Sequence, residues 1–340
     1  MSWKVTVDDL TYGYQWDETG RGRDLTWKEA TVWQPGPGSG TLFLVCNSTL
    51  PEVRLWLRQD SGIDFATVNI MLNDDDRPRL VRGPEGTLVI LRGMNDDSKS
   101  SDTPMIPIKI WVDKNRVIAL RGARVLAFRD VLADLRELGE IPSSTVDLLH
   151  HIISKVIFRM ESLVTTLISD LDQLESRILS TRTNMPMLRS FHSEVVRLRK
   201  RVITVRSHLV PMGALASAFL RQRGKWMETR QRRLIAEEFE RLHDYLEALG
   251  MVRERSSLLE DEIHAMEASQ MDRNIYVLTF LTGVFVPMNL IPSMLGSNIG
   301  GIYGATDPDA FEYLIFVELL IFAVGLFFFM RHVRKLSVTS

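Results

Sequence analysis

The fold is decided by the stretch NIYVLTFLTGVFVPMNLIPSML at residues 274–295, together with FEYLIFVELLIFAVGLFFFM at residues 311–330. The only charged residues within them are Glu312 and Glu318. Each stretch has the ~20 residues that a helix needs to cross a hydrocarbon core of ~30 Å. The sequence therefore predicts two membrane-spanning helices joined by a short loop.

Two prolines and an asparagine set the first stretch apart from a simple membrane anchor. Pro287 and Pro292 each remove a backbone hydrogen-bond donor, and irregular backbone survives at membrane depth only where protein or water satisfies the freed carbonyl groups. Asn289 adds a polar side chain. These features favour a helix that lines a pore, and the alternative is a kinked structural helix that packs against its neighbour.

A polar and mixed face emerges when this helix is read backwards from Asn298 in steps of three or four residues. One chain has only two such helices, which cannot enclose a conduit, so the face must be repeated by symmetry. A ring of amides would then offer oxygen atoms to a hydrated cation. The predicted ion pathway consists of Gly296, Ser297, Asn298, Ser293, Asn289, Val286, Thr282, Leu278, Ile275 and Met271.

Charged residues flank this face on both sides of the membrane. Asp307, Asp309 and Glu312 lie near the outer mouth, where carboxylates repeated around a ring would concentrate cations; a merely solvated loop is the alternative. Asp261 and His264 lie farther back on the same face and form a candidate cytoplasmic metal site. Its alternative is an ordinary contact between stalk helices.

The charges of the loops predict the orientation of the two helices. Arg273 precedes the first stretch, and Arg331, Arg334 and Lys335 follow the second, whereas residues 296–310 contain no Lys or Arg. The positive-inside rule places both termini in the cytoplasm and the acidic loop outside.

Composition predicts a large soluble part before the membrane helices. A chain of 340 residues that is 45% hydrophobic is too polar for a protein of many membrane helices. The first ten residues lack the pattern of a secretory signal, so we expect the soluble part to be cytosolic. A single cysteine, Cys46, allows neither an internal disulfide nor a cysteine-based zinc site, so any metal must bind oxygen or imidazole. No phosphate loop, nucleophile elbow or HExxH motif is present, so we do not expect an enzyme.

The fold class is predicted as an α+β membrane protein. Short apolar runs and turn clusters predict an N-terminal α/β domain with an antiparallel or mixed sheet, and helical periodicity begins at about Ser143. The predicted organisation is an α/β domain at 1–140, a helical stalk at 141–273 with a long helix from about 224, a pore-lining helix at 274–296, an external loop at 297–310, a second membrane helix at 311–330 and a basic cytoplasmic tail at 331–340.

Opposite charges predict that the stalk helices pair with one another. Residues 188–206 are basic and residues 224–272 are acidic in balance, so the two segments can pack as antiparallel helices. The run RLRKR at 197–201 could also be a nucleic-acid patch. Pairing within the stalk explains the run better, and we expect no nucleic-acid partner.

The run QMDRNIYVLTFLTGVFVPMNLIPSMLGSNIGGIYG at 270–304 resembles the CorA superfamily of divalent-cation transporters, whose first membrane helix ends in a Gly-x-Asn motif. Gly300-Gly301 and three upstream segments, RPR at 77–79, LRGMN at 91–95 and KIWVDKNRVIALR at 109–121, are similar to its ZntB-like zinc-transporter branch. Ser297 stands where the family usually has Met or Ile. The literal Gly-Met-Asn at 93–95 lies in a polar soluble region and is predicted to be a strand end.

The resemblance implies a funnel-shaped homopentamer in a bacterial inner membrane, in contact with lipid. It implies uptake of Zn²⁺ into the cytoplasm, coupled to protons, with a CorA-like Mg²⁺, Co²⁺ or Ni²⁺ channel as the alternative. These cations are cargo, and no cofactor is expected. A different alternative is a membrane-tethered scaffold or receptor, in which the helices only anchor the α/β domain. A polar ring at Asn298 would have no use in a scaffold.

Overall fold

The computed structural model describes residues 11–17, 19–36, 40–95, 105–138, 141–180, 185–222, 226–297 and 307–336. The chain forms two compact units. The first unit comprises residues 1–181 and 191–260, and the second comprises residues 182–190 and 261–340. Asn298 lies outside the described residues.

A seven-stranded sheet organises the first unit. Its strands run in the spatial order β2-β1-β3-β7-β6-β5-β4, and only β3 and β7 pair in parallel. The prediction of an antiparallel or mixed sheet is therefore confirmed. The strands are β1 Tyr12–Trp16, β2 Gly22–Leu25, β3 Thr41–Asn47, β4 Arg79–Arg82, β5 Thr87–Met94, β6 Met105–Val112 and β7 Arg116–Arg121.

Helices cover both faces of this sheet, which explains why most residues of its central strands β3, β7 and β6 are apolar and buried. On one face the helices α1 (Trp27–Val32), α2 (Pro51–Gln59) and α3 (Phe65–Leu72) complete the core with Leu44, Cys46 and Ile90. On the other face lie α4 (Leu126–Ala133), which continues as a π-helix over Asp134–Leu138, and the start of α5 (Thr145–Ser180).

Three long helices follow the sheet: α5, α6 (Met185–Arg221) and α7 (Thr229–Leu295). Within the first unit, Arg177 of α5 pairs with Glu194 of α6 at 2.8 Å. The basic run of α6 makes similar contacts, because Arg199 pairs with Glu260 of α7 at 2.7 Å and Arg201 with Asp170 of α5 at 2.9 Å. The Arg199–Glu260 pair joins the two oppositely charged segments that were predicted to pack together, and the other two pairs join α6 to α5.

The long helix α7 begins at Thr229, five residues after the predicted start. Up to Leu259 its apolar residues recur three or four positions apart and lie in the first unit, where Ile235, Leu242 and Leu249 have no exposed surface. The helix continues through both prolines to Leu295.

The second unit contains the end of α7 and the helix α8 (Ala310–Leu336), which pack in antiparallel fashion. Phe280 stacks on Phe329 with ring centroids 4.2 Å apart. A Cβ added at Gly325 would meet Val284 Cγ2 at 2.6 Å, so only a glycine allows this approach of the two helices.

Among the described residues, three helices have the length and composition of a membrane span: α6, α7 and α8. The sequence predicted only the last two. A third of the most apolar window of α6 is buried inside the protein, against 6% for α7 and 0% for α8. The protein therefore covers more of the apolar surface of α6 than of the apolar surfaces of α7 and α8.

Candidate functional site

From Met271 to Ser293, the predicted ion-pathway residues lie on one side of α7, and α8 packs against the other side. Leu278 is 65% exposed and Val286 is 55% exposed, whereas Val284 is 7% exposed beneath α8. At 3.6 residues per turn, the predicted face and the face that meets α8 are on opposite sides of the helix. Met271, Ile275, Thr282, Asn289 and Ser293 share the exposed face.

Two polar side chains of this face donate hydrogen bonds to backbone carbonyls of their own helix. Thr282 Oγ1 donates to the carbonyl of Leu278 at 2.9 Å, and Asn289 Nδ2 donates to the carbonyl of Phe285 at 2.9 Å. Because the amide nitrogen of Asn289 is engaged, the amide oxygen is the atom that this side chain offers to a cation. Amide and hydroxyl oxygens are ligands that suit hard or hydrated divalent cations.

The C-terminal end of α7 closes with two local hydrogen bonds. The backbone N–H of Gly296 donates to the carbonyl of Pro292 at 2.7 Å, and Ser297 Oγ donates to the carbonyl of Met294 at 2.8 Å. Both residues follow directly on the helix, so the Gly-x-Asn motif starts at its C-terminal end.

The three carboxylates predicted at the outer mouth lie at the start of α8. Asp307 Oδ1 accepts a hydrogen bond from the backbone N–H of Asp309 at 3.0 Å, so Asp307 also organises this turn. Asp307, Asp309 and Glu312 are all exposed. Negative charge at a helix N-terminus is favourable, because it opposes the positive end of the helix dipole.

The candidate cytoplasmic site has an additional carboxylate that the sequence analysis did not include. Asp261 and His264 are both exposed on α7, and His264 Nδ1 lies 3.4 Å from Glu267 Oε2. The imidazole therefore has a carboxylate neighbour one turn along the helix.

Other candidate ligands in the first unit have structural partners. Cys46 is fully buried in β3, and burial raises the pKa of its thiol. His150 lies 3.6 Å from Glu238, and His151 lies 2.8 Å from Asp134, so the adjacent histidines contact different helices. Gly93 and Met94 end β5, and Asn95 bridges to Val125, which confirms that the literal Gly-Met-Asn is a strand end.

Glu318 of the second unit is a charged residue of the second apolar stretch to which no role was predicted. Its Oε1 atom is buried and has no hydrogen-bond partner among the described residues. The signal was present in the sequence as a carboxylate inside an apolar helix, a placement that is expensive and usually functional.

Residues 38–332 match the family described as CorA-like Mg²⁺ transporter protein. The divalent cation transporter CmaX of Pseudomonas aeruginosa is 30% identical over 303 residues, which cover 89% of this chain and 90% of that protein. The zinc transport protein ZntB of Pectobacterium carotovorum is 28% identical over 283 residues, which cover 83% and 84% of the two chains.

The structure of the full-length CmaX protein superimposes with a TM-score of 0.76 at 29% identity and covers 94% of this chain and 96% of that chain. Sequence and fold thus agree over nearly the whole length, and the resemblance seen in the motifs is confirmed. The chain belongs to the family of CorA-like Mg²⁺ transporter proteins.

Proposed function

We propose that this chain is one subunit of a homopentameric transporter that moves divalent metal cations across a bacterial inner membrane into the cytoplasm. The observation that carries the proposal is the exposed face of α7. This face contains polar and small side chains in the middle of a membrane helix, and α8 covers only the opposite side.

Symmetry completes the pathway in this proposal. Five copies of α7 enclose a pore, so each polar position becomes a ring of five oxygen-bearing side chains. The amide rings at Asn298 and Asn289 hold a hydrated cation, and the aliphatic rings at Leu278 and Val286 close the pore by excluding water. The second membrane helix of each subunit, α8, then lies outside the ring.

The proposed pore has acidic residues at its outer end and basic residues at its cytoplasmic end. Asp307, Asp309 and Glu312 raise the local concentration of cations at the outer mouth. The basic residues around Arg273 and Arg331 lie on the cytoplasmic side, as do both termini. Asp261, His264 and the neighbouring Glu267 are the proposed site at which cytoplasmic metal acts on α7.

Zn²⁺ is the first proposed cargo, because relatives that align with most of this chain are named zinc transport proteins. Mg²⁺, Co²⁺ or Ni²⁺ is the alternative, in line with the description of the family. Zn²⁺ prefers imidazole and thiolate ligands. Because the face of α7 offers amides and hydroxyls, we propose that Zn²⁺ passes with much of its hydration shell retained, coupled to a proton gradient.

Flux into proteoliposomes, with Zn²⁺ and Mg²⁺ compared, tests the function. We expect Asn298→Ala to abolish or strongly reduce uptake, because five alanine side chains around the pore cannot replace the amide contacts to the hydrated ion. The matched control is Asn69→Ala, which removes an exposed asparagine of α3 and should transport at the wild-type rate.

Two results would contradict parts of the proposal. A wild-type protein that assembles but carries no divalent cation would contradict the function. Wild-type uptake by a correctly assembled Asn298→Ala variant would contradict only the role of Asn298 as the selectivity filter.

A further inference from the structure

Glu318 lies deep in the apolar part of α8. It is about two residues from the middle of the stretch 311–330, which corresponds to ~4 Å along a helix that rises ~1.5 Å per residue. An ionised carboxylate at such a depth costs several kcal/mol unless a partner or water stabilises it. The position of a carboxyl group at this depth therefore requires a physical explanation.

The side chain faces α7 rather than the open side of α8. The partly buried residues of α8 recur at helical spacing as Leu314, Glu318, Ile321, Gly325 and Phe329. The last two contact Val284 and Phe280 of α7. This is one continuous face, so Glu318 belongs to the contact between the second membrane helix and the pore wall.

No charged group is available on α7 to neutralise Glu318. Residues 275–295 contain no Asp, Glu, His, Lys or Arg, and Tyr276 is their only titratable side chain. On α8 the nearest charged residues are Glu312 and Arg331, which lie six and thirteen residues away in sequence. Within the described part of the chain, Glu318 Oε1 is buried without a hydrogen-bond partner.

The facing segment of α7 does offer an acceptor for a neutral carboxyl group. The contacts of Gly325 and Phe329 fix the antiparallel register, which brings Glu318 to the level of Ile291. Pro292 has no N–H, so the carbonyl of Met288, one turn away, lacks its helical donor. A protonated carboxyl can donate a hydrogen bond to such a carbonyl, whereas a carboxylate can only accept one.

We infer that Glu318 is a proton-binding site inside the membrane, and that its protonation controls cation flux by changing how α8 packs against the pore wall. This inference rests on the proposed function. The neutral form, in which the O–H of Glu318 donates to a carbonyl freed by Pro292, holds α8 against α7. The ionised form disfavours this contact, because its charge must reach water or a cation.

Cation flux measured in proteoliposomes at a series of pH values, equal on both sides, tests the inference. Wild-type flux should depend on pH. Glu318→Gln should be independent of pH at the wild-type rate observed in acid, because a glutamine is neutral and can still donate a hydrogen bond. Glu247→Gln is the control: it removes an exposed carboxylate of α7 that lies outside the proposed cation sites, and it should keep the wild-type pH dependence.

A second measurement does not require transport. Infrared spectra of the wild-type protein with ¹³C-labelled glutamate carboxyl groups should show a carbonyl band of a neutral glutamic acid that persists at neutral pH. The band should be absent in Glu318→Gln and present in Glu312→Gln.

Each outcome decides a separate claim. The inference is overturned if wild-type flux is independent of pH, if Glu318→Gln keeps the wild-type pH profile, or if the infrared band is absent. If the wild-type protein carries no cation at any pH, the proposed function fails, and the infrared band alone still decides whether Glu318 holds a proton.

Discussion

Asp134 shows how a single buried carboxylate joins the sheet layer to the helices that follow it. It begins the π-helix after α4 and is 9% exposed. His151 Nε2 lies 2.8 Å from it and Lys155 Nζ lies 2.7 Å from it, both on α5. Burial alone would raise the pKa of Asp134, but hydrogen bonds from Lys155 and His151 outweigh burial and hold this pKa below its ordinary value.

We expect Asp134→Asn to destabilise the protein by ~1 to 3 kcal/mol at neutral pH, because Lys155 loses the negative charge of its partner and a neutral amide makes weaker hydrogen bonds than a carboxylate. A carboxyl whose pKa is lower in the folded state contributes stability above its unfolded pKa, and this contribution is lost as the pH falls through the folded value. The loss of stability caused by the substitution should therefore become smaller as the pH falls below 3.8, which is the ordinary pKa of an aspartate. The change in the free energy of unfolding is measured by denaturant unfolding of the detergent-solubilised chain, monitored by tryptophan fluorescence.

Asp170→Asn is the control for this experiment. Asp170 pairs with Arg201 at 2.9 Å, but its side chain is 36% exposed, so we expect a change below ~1 kcal/mol. A variant of Asp134 that is as stable as the wild type, or a deficit that persists unchanged in acid, would show that the ionic contacts do not contribute.

The candidate pathway and Glu318 differ in how far the sequence could predict them. Thr282 and Asn289 could be placed on one face, because helix pitch alone relates their positions. Glu318 could not be assigned to a surface, because that requires knowledge of which side of α8 meets α7. That contact is set by Gly325 and Phe329, whose importance becomes visible only in the packed structure.

At the scale of elements, the long helices and the strands show a sequence pattern that indicates them, whereas two short helices show no periodic pattern. The strand β7 coincides with the apolar run RVIALR at 116–121, and α6 begins one residue before Pro186, where a proline is tolerated in a helix. The helices α1 and α3 are too short to show a helical period. Local caps define them instead: Thr26 and Glu29 form a capping box, and Asp64 accepts a hydrogen bond from Thr67. The Thr-x-x-Glu spacing was a usable signal for α1.

The packing of α7 against α8 depends on the absence of a side chain at Gly325. We expect Gly325→Ala to destabilise the second unit by ~1 to 3 kcal/mol, because its Cβ would overlap Val284. A second change, Val284→Ala, should restore much of this loss by making room for the added methyl group. Melting temperatures of the full chain in detergent, measured for both single variants and the double variant, give the coupling between the two positions.

Gly283→Ala is the matched control within α7. A Cβ there would meet no atom of the same subunit within 4 Å, so the substitution should leave the melting temperature near that of the wild type. If Gly325→Ala melts like the wild type, or if Val284→Ala does not relieve it, the close approach of the two helices is not required for stability.

At the scale of the whole molecule, the number of membrane spans is the main question. Length and composition admit α6 as a third span. Its apolar side chains nevertheless pack inside the first unit, where Leu209 and Met212 have no exposed surface and Phe219 stacks on Phe239 at 5.9 Å. Lipid would have to replace these contacts and the ion pairs of Arg199 and Arg201. We therefore propose that α6 stays in the cytoplasm.

Single cysteines and a membrane-impermeant maleimide test this topology. Cys46 is buried, and the raised pKa of its thiol makes the wild-type chain a suitable unreactive control. We expect Pro308→Cys, in the exposed turn before α8, to react in right-side-out vesicles. Ser207→Cys, on an exposed position of α6, should react only in inside-out vesicles. If α6 crosses the membrane, Ser207→Cys will be shielded by lipid and remain unlabelled in both preparations, and the two-span topology is then wrong.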